Sequence, residues 1–217
     1  MIDTTRPPAM SPGRFIALEG IDGAGKSSQI AALVAWLGAR GRRVVTCRDP
    51  GSTAAGDAIR AILLDRHDLH LAPSAEMLLY MAARAQLVSE VIAPAVARGD
   101  WVVSDRYLLS NIVYQGHAGG LDPETIRGVG AVATTGIMPD RAVVLDVDLD
   151  TAAGRLDRPL DKLENRGAEY RRRLRVGYHA EAARSPETIA VVDARADRDT
   201  VAAAVRTAVA TRFPDLE

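Results

Sequence analysis

The run "GIDGAGKS", Gly20 to Ser27, fits the pattern G-x-x-x-x-G-K-[ST]. The apolar run "FIALE" (15–19) leads into it and a helix-length stretch (26–39) leads out. A phosphate-binding loop needs that context, because it must close a strand and open a helix. Glycines at 20, 23 and 25 let backbone amides curl round an anion, and the helix N-terminus adds the positive end of its dipole. Lys26 is placed to bridge the β- and γ-phosphates of a nucleotide, and Ser27 to ligate Mg²⁺. The bland alternative is a glycine-rich turn that joins a strand to a helix.

The same strand–helix alternation runs down the chain. "RVVTC" (43–47), "WVVSD" (101–105), "AVVLDV" (142–147) and "IAVVD" (189–193) are near-continuous apolar runs. Such runs mark strands buried on both faces of a parallel sheet. Helix-length stretches lie between them at 54–65, 73–98, 107–116, 122–134, 150–157, 165–184 and 197–211, and Pro94 should kink or end the 73–98 stretch. The expected fold is therefore α/β: a P-loop three-layer fold with a five-stranded parallel sheet flanked by helices and joined by right-handed crossovers. A chain of 217 residues with no linker or repeat suits one domain, 14–217, behind a loose tail, 1–13.

Composition narrows the function. A net charge of −1 gives no global positive field for nucleic acid or an anionic membrane surface. No apolar run is long enough to span a bilayer, and the tail lacks the apolar segment of a secretory signal. The single cysteine, Cys47, excludes an internal disulfide, fits a reducing cytoplasm and reads as a buried strand residue. No N-K-x-D motif indicates a GTPase, and the loop starts with glycine where the deviant loop of partitioning ATPases starts with lysine. The strand "WVVSD" runs into "DRY", not into the acidic pair usual in a motor ATPase.

Several further segments, taken with the loop, resemble the thymidylate kinase family of nucleoside monophosphate kinases. "DRYLLSNIVYQG" (105–116) resembles D-R-Y-x-x-S-x-x-A-Y-Q-G, and "RDPGSTAAGDAIR" (48–60) is similar to R-E-P-G-G-T followed by a helix. "LLYMAARAQL" (78–87) resembles an aromatic-x-x-x-Arg helix, and "LDKLE" (160–164) resembles the L-D-R-x-E of the family's lid, here about 155–168. The segments keep the family order over about residues 14–213. The resemblance implies transfer of the γ-phosphate of ATP to dTMP, with Mg²⁺, by a cytoplasmic homodimer. Phosphoryl transfer asks mainly for positioning and charge neutralisation. A monophosphate acceptor is already largely a dianion, its second pKa being about 6, so no general base is needed.

The resemblance distributes the residues as follows. Gly20, Ile21, Asp22, Gly23, Ala24, Gly25, Lys26, Ser27 and Ser28 form the ATP-binding loop, with Lys26, Arg106 and Arg158 as catalytic residues. Tyr80 and Arg84 share a helix face, the ring to stack on thymine and the guanidinium to donate to a base oxygen. Arg48 and Arg106 serve the acceptor phosphate, while Ser110, Asn111, Tyr114 and Gln115 line the base or sugar pocket. Asp22 sits near the acceptor sugar or the metal, or is simply a turn residue. Asp105 either holds Mg²⁺ through water, beside Ser27, or caps the following helix.

The segment 155–175 holds seven arginines and one lysine. Its plain reading is a solvated face paired with Glu164, Glu169 and Glu181. Arg155 and Arg158 precede "LDKLE"; the resemblance implies a catalytic arginine either in the phosphate loop or in the lid, and as "GIDGAGKS" contains none, the lid should supply it, Arg158 foremost. Asp49 stands where the family usually has Glu, Ser52 where it often has Gly, and Lys162 where Arg is common. The "RDPGST" turn implies a cis bond at Asp49–Pro50. The rival readings are a kinase for another nucleoside monophosphate or a deoxynucleoside, and a P-loop switch ATPase.

Overall fold

The computed structural model describes residues 13–155 and 167–216. Five parallel strands form one sheet: β1 (Arg14–Glu19), β2 (Val44–Arg48), β3 (Trp101–Asp105), β4 (Arg141–Asp146) and β5 (Ile189–Asp193), in the order β2-β3-β1-β4-β5. The central strands β1, β3 and β4 are buried along nearly their whole length, as continuous apolar runs require. The edge strands β2 and β5 are half-exposed, because each has one neighbour and partial helix cover.

Alternate residues of β1 feed two cores. Ile16 and Leu18 pack with Leu33 of α1 (Lys26–Gly38) and Val205 of α9 (Arg198–Ala210). Phe15 and Ala17 pack with Met81 of α3 (Pro73–Leu87) and Ile126 of α6 (Pro123–Thr134). Helices therefore cover both faces, the three-layer arrangement expected. The other helices are α2 (Ala54–Leu64), α4 (Ala93–Ala97), α5 (Leu108–Asn111), α7 (Leu149–Gly154) and α8 (Ala168–Arg184).

Two helices depart from the sequence reading. The 73–98 stretch does not stop at Pro94; a π-helical segment, Val88–Ile92, joins α3 to α4. The Ala93 N–H donates to Val88 O, five residues back, and the widened turn accommodates a proline ring that would strike the carbonyl four residues back. The stretch expected at 107–116 is α for only four residues before a π segment, Ile112–Ala118. Pro123 and Asp122 start α6 as a first-turn proline and a side-chain cap.

All strands run the same way, so their carboxyl ends meet at one edge of the sheet. The phosphate loop after β1, the "RDPGS" turn after β2 and the "DRY" turn after β3 gather there.

Candidate active site

The phosphate loop is built as its glycines require. Gly23 has φ 83°, and a Cβ on it would lie 2.2 Å from Ala152 O, so α7 closes against bare backbone. Ile21 and Ala24 are buried and pin the loop, while Ser27 and Ser28 are exposed beside Gly25, the residue before α1. Lys26 is buried, and its Nζ donates to Gly20 O (3.2 Å) and Ile21 O (3.1 Å) and lies 3.4 Å from Asp22 Oδ1. Burial, then Arg106, lower the lysine's pKa, and Asp22 and Asp105 oppose them.

Arg106 occupies the centre. Its φ of 68° is the left-handed region, rare for a side chain of this size, and its N–H is held by Leu18 O at 2.9 Å. Nη1 donates to Gly20 O (2.8 Å), Ser110 Oγ (3.0 Å) and Tyr178 Oη (3.2 Å). Nη2 donates to Asp22 Oδ1 (2.8 Å) and Tyr114 Oη (3.0 Å), and the guanidinium lies over the Tyr114 ring. Burial works against this charge, but Asp22, Tyr114 and Tyr178 outweigh it and hold the group well above its ordinary value. In turn, burial would raise Asp22, yet Arg106 and Lys26 hold its carboxyl far below the usual range.

Beside Arg106 lies a half-open cleft lined by nearly every residue expected to meet the acceptor: Asp22, Tyr80, Arg84, Ser110, Asn111, Tyr114 and Gln115. Arg84 is 1% exposed and anchored, with Nε donating to Asp49 Oδ2 (2.6 Å) and Nη1 to Asn111 Oδ1 (3.1 Å). Asn111 Nδ2 donates to Gln115 Oε1 (2.6 Å), and Gln115 Nε2 to Glu76 Oε1 (2.9 Å). The Asp49–Pro50 bond is cis, as the resemblance implied, and both residues line the cleft. Burial raises the Asp49 carboxyl, and Arg84 and Arg60 pull it back.

Arg48 is not brought there. It is half-exposed, paired with Asp57 at 3.3 Å, and lines an outer groove with Ser27 and Asp105. Arg60, on the buried side of α2, enters the cleft beside Arg106 and donates to Pro50 O at 3.0 Å. Asp105 ends β3 and does not cap α5, whose N-cap is Tyr107. Asp105 and Ser27 line one cleft with Lys26, and Asp105 Oδ1 has no hydrogen-bond partner among the described residues.

Arg158, Lys162 and the "LDKLE" segment lie outside the described residues. Arg155, at the end of α7, donates to Ala194 O (2.8 Å) and Arg195 O (3.2 Å) and walls a second cleft with Gly25, Ser28 and Asp197. Of the basic cluster, Arg172 pairs with Glu169 on the exposed face as expected. Arg175 instead grips Asp146 at the end of β4 with two bonds, and Glu181 pairs with Arg127 and His117.

Sequence reasoning passed over Arg60, Glu19 and Tyr178. Arg60 closes the "RDPGSTAAGDAIR" segment, and Glu19 is the one charge in the apolar run "FIALE", so both had a visible signal. Glu19 is fully buried and its carboxyl is pushed up to about 7 by burial, against Ser110, Arg106, the Tyr107 N–H and Lys26. Tyr178 had no local signal, since only the fold brings α8 to this point.

The family model for thymidylate kinase matches residues 18–205. Thymidylate kinase from Bifidobacterium longum (strain DJO10A) is 42% identical over 196 residues, 89% of this chain and 95% of that protein. Thymidylate kinase from Clavibacter michiganensis subsp. michiganensis (strain NCPPB 382) is 45% identical over 198 residues, 90% of this chain and 93% of that protein. The crystal structure of thymidylate kinase from Ehrlichia chaffeensis matches with a TM-score of 0.75 at 26% identity, covering 91% of this chain and 99% of that one. Similarity that runs the length of both sequences and extends to the fold means that this chain belongs to the thymidylate kinase family.

Proposed function

We propose that the cleft beside Arg106 holds dTMP and that the loop from Gly20 to Ser28 holds the phosphates of ATP. The chain is an ATP-dependent nucleoside monophosphate kinase that converts ATP and dTMP to ADP and dTDP. One observation carries the placement of the two substrates: Asp22 lines both the acceptor cleft and the cleft over Lys26 and Ser27, so the two meet at one wall. Tyr80 stacks on thymine, and Arg84, already fixed through Nε and Nη1, donates to its 4-carbonyl. Tyr114 and Asp22 flank the sugar. Arg106 and Arg60 neutralise the acceptor phosphate, so that the attacking oxygen approaches without an added base. Lys26 exchanges its contacts with Gly20 O and Ile21 O for phosphate oxygens.

Mg²⁺ fits this donor set. Ser27 and Asp105 would hold it: a hydroxyl and a carboxylate on one cleft, the latter with a partnerless oxygen, suit a hard cation that also takes oxygens from phosphates. When bound, the ion neutralises charge on the transferring phosphate. Arg158 remains our candidate for the mobile catalytic arginine. Arg155 is tied to two carbonyls of the segment after β5, a fixed position suited to the donor nucleotide's cleft and not to a moving cation.

We also propose a cytoplasmic homodimer. Leu78 on α3 and Val132 on α6 are 52% and 79% exposed on two helices that pack together, which supports an apolar contact between copies. Among the described residues no helix is long and apolar enough to cross a membrane.

An ADP-release assay across nucleoside monophosphates tests the reading. Turnover efficiency with dTMP should exceed that with deoxycytidylate by at least about a hundredfold, since cytosine sets an amine against the donor-only Arg84. Deoxyuridylate, short of one methyl, should be poorer yet detectable. Equal use of deoxycytidylate, or ADP release without any acceptor, would overturn it.

A further inference from the structure

We propose that Glu19, which touches neither substrate cleft, is a positioning residue that holds Arg106 against the acceptor phosphate through two hydroxyls. The inference rests on the reading that Arg106 binds that phosphate. Glu19 ends the central strand β1 immediately before the phosphate loop and is fully buried. Its Oε1 accepts from the Tyr107 N–H at 2.8 Å, the residue that follows Arg106. Its Oε2 accepts from Ser110 Oγ at 2.5 Å and from Tyr178 Oη at 3.3 Å. Ser110 and Tyr178 are themselves 3.0 Å apart, and each takes a hydrogen bond from Arg106 Nη1.

In its ionised form the carboxylate works at both ends of Arg106. On the backbone side it captures the N–H just after a left-handed residue, where φ of 68° carries strain that only fixed neighbours sustain. On the side-chain side it fixes which way two hydroxyls point. Ser110 and Tyr178 send their protons to Glu19, which turns their lone pairs toward the guanidinium. A hydroxyl carries one donor and two acceptor positions, so without the carboxylate either proton is free to turn toward Arg106 and oppose it. The three donors to Glu19 come from the turn after β3, from α5 and from α8, so the contact also ties the helix that follows residues 156–166 to the phosphate loop.

The variant Glu19→Gln keeps the shape and presents one NH₂ group to donors. Binding of dTMP and of thymidine, which lacks the phosphate, should be measured by calorimetry on the full chain, with melting temperature recorded alongside. We expect dTMP affinity to fall roughly tenfold, the size of one lost bond to a charged group, while thymidine affinity stays within about twofold. Tyr178→Phe removes the one of the two hydroxyls that lies outside the cleft and should give the same phosphate-selective loss; it serves as the test if Glu19→Gln does not fold. Equal losses for dTMP and thymidine, or dTMP binding within about twofold of the parent, would overturn the inference. Arg106→Met separates the two claims: if it leaves dTMP affinity unchanged, the placement of the phosphate at Arg106 fails, whatever Glu19 does.

Discussion

Replacing Arg84 by methionine should destabilise this protein far more than its place in a substrate cleft suggests. The Arg84 and Asp49 side chains are 2% and 0% exposed, with Nε and Oδ2 2.6 Å apart. Removing one partner of a buried pair leaves the other charge without compensation, which costs about 3–5 kcal/mol. Asn111 Oδ1 also loses its donor. For a domain of this size each kcal/mol moves Tm by about 2–4 °C, so Arg84→Met should melt about 6–20 °C lower. Adding Asp49→Asn removes the stranded charge, and the double variant should regain about 2 kcal/mol or more relative to additivity. The pH dependence has a definite sign. Burial already raises the Asp49 carboxyl in the parent, and without Arg84 to pull it back it rises further. A carboxyl that holds its proton more tightly when folded adds stability in acid, and that stability is lost as pH rises from about 3.9 through the folded value. The melting temperature of Arg84→Met should thus fall more steeply than the parent's as pH rises through this window. Thermal unfolding of the four proteins across pH 4–8 supplies the cycle. An Arg84→Met variant within about 1 kcal/mol of the parent, or an additive double variant, would refute the reasoning.

Lys26→Ala should lower kcat by at least roughly a hundredfold, since it removes a positioned cation from the transferring phosphate; circular dichroism should stay unchanged, and near-normal turnover would contradict the assignment. Arg60→Met should raise the KM for dTMP about 10–100-fold, the range for a lost bond to a charged group, with the KM for ATP nearly constant. A shift below twofold would return Arg60 to a purely structural part in holding Pro50 O.

The sheet and its loops were legible because their signals are local. A glycine loop between "FIALE" and a helix, and five apolar runs separated by helix-length stretches, leave little choice of architecture. The cleft beside Arg106 was legible from helical spacing, since Tyr80 and Arg84, like Ser110 and Tyr114, stand four apart and line it together. What escaped depends on contacts between distant parts of the chain. Arg48 precedes the turn and Arg60 lies within α2, and only the packing of α2 turns Arg60 inward and leaves Arg48 to Asp57. Tyr178 reaches Arg106 across 72 positions of sequence. Pro94 marks a disturbance of its helix, but the sequence does not mark that the disturbance is a widened turn.

The donor pattern of the proposed base pocket follows from the direction of a single chain of hydrogen bonds. Arg84 only donates, so Asn111 must present its oxygen to it and keep its nitrogen for Gln115. Gln115 then turns its oxygen to Asn111 and its nitrogen to the buried carboxylate of Glu76. The two ends impose the same polarity, and reversing either amide would set donor against donor between buried side chains. Glu76 does not line the cleft, yet it holds the orientation of both amides that do. An acceptor whose edge carries a carbonyl meets Arg84 without disturbing this chain. One whose edge carries an amine can be accommodated only by breaking it, and the cost falls on groups that have no water to turn to. Selectivity of this kind is a property of the whole run from Asp49 to Glu76, and a substitution at its far end should be felt at the base.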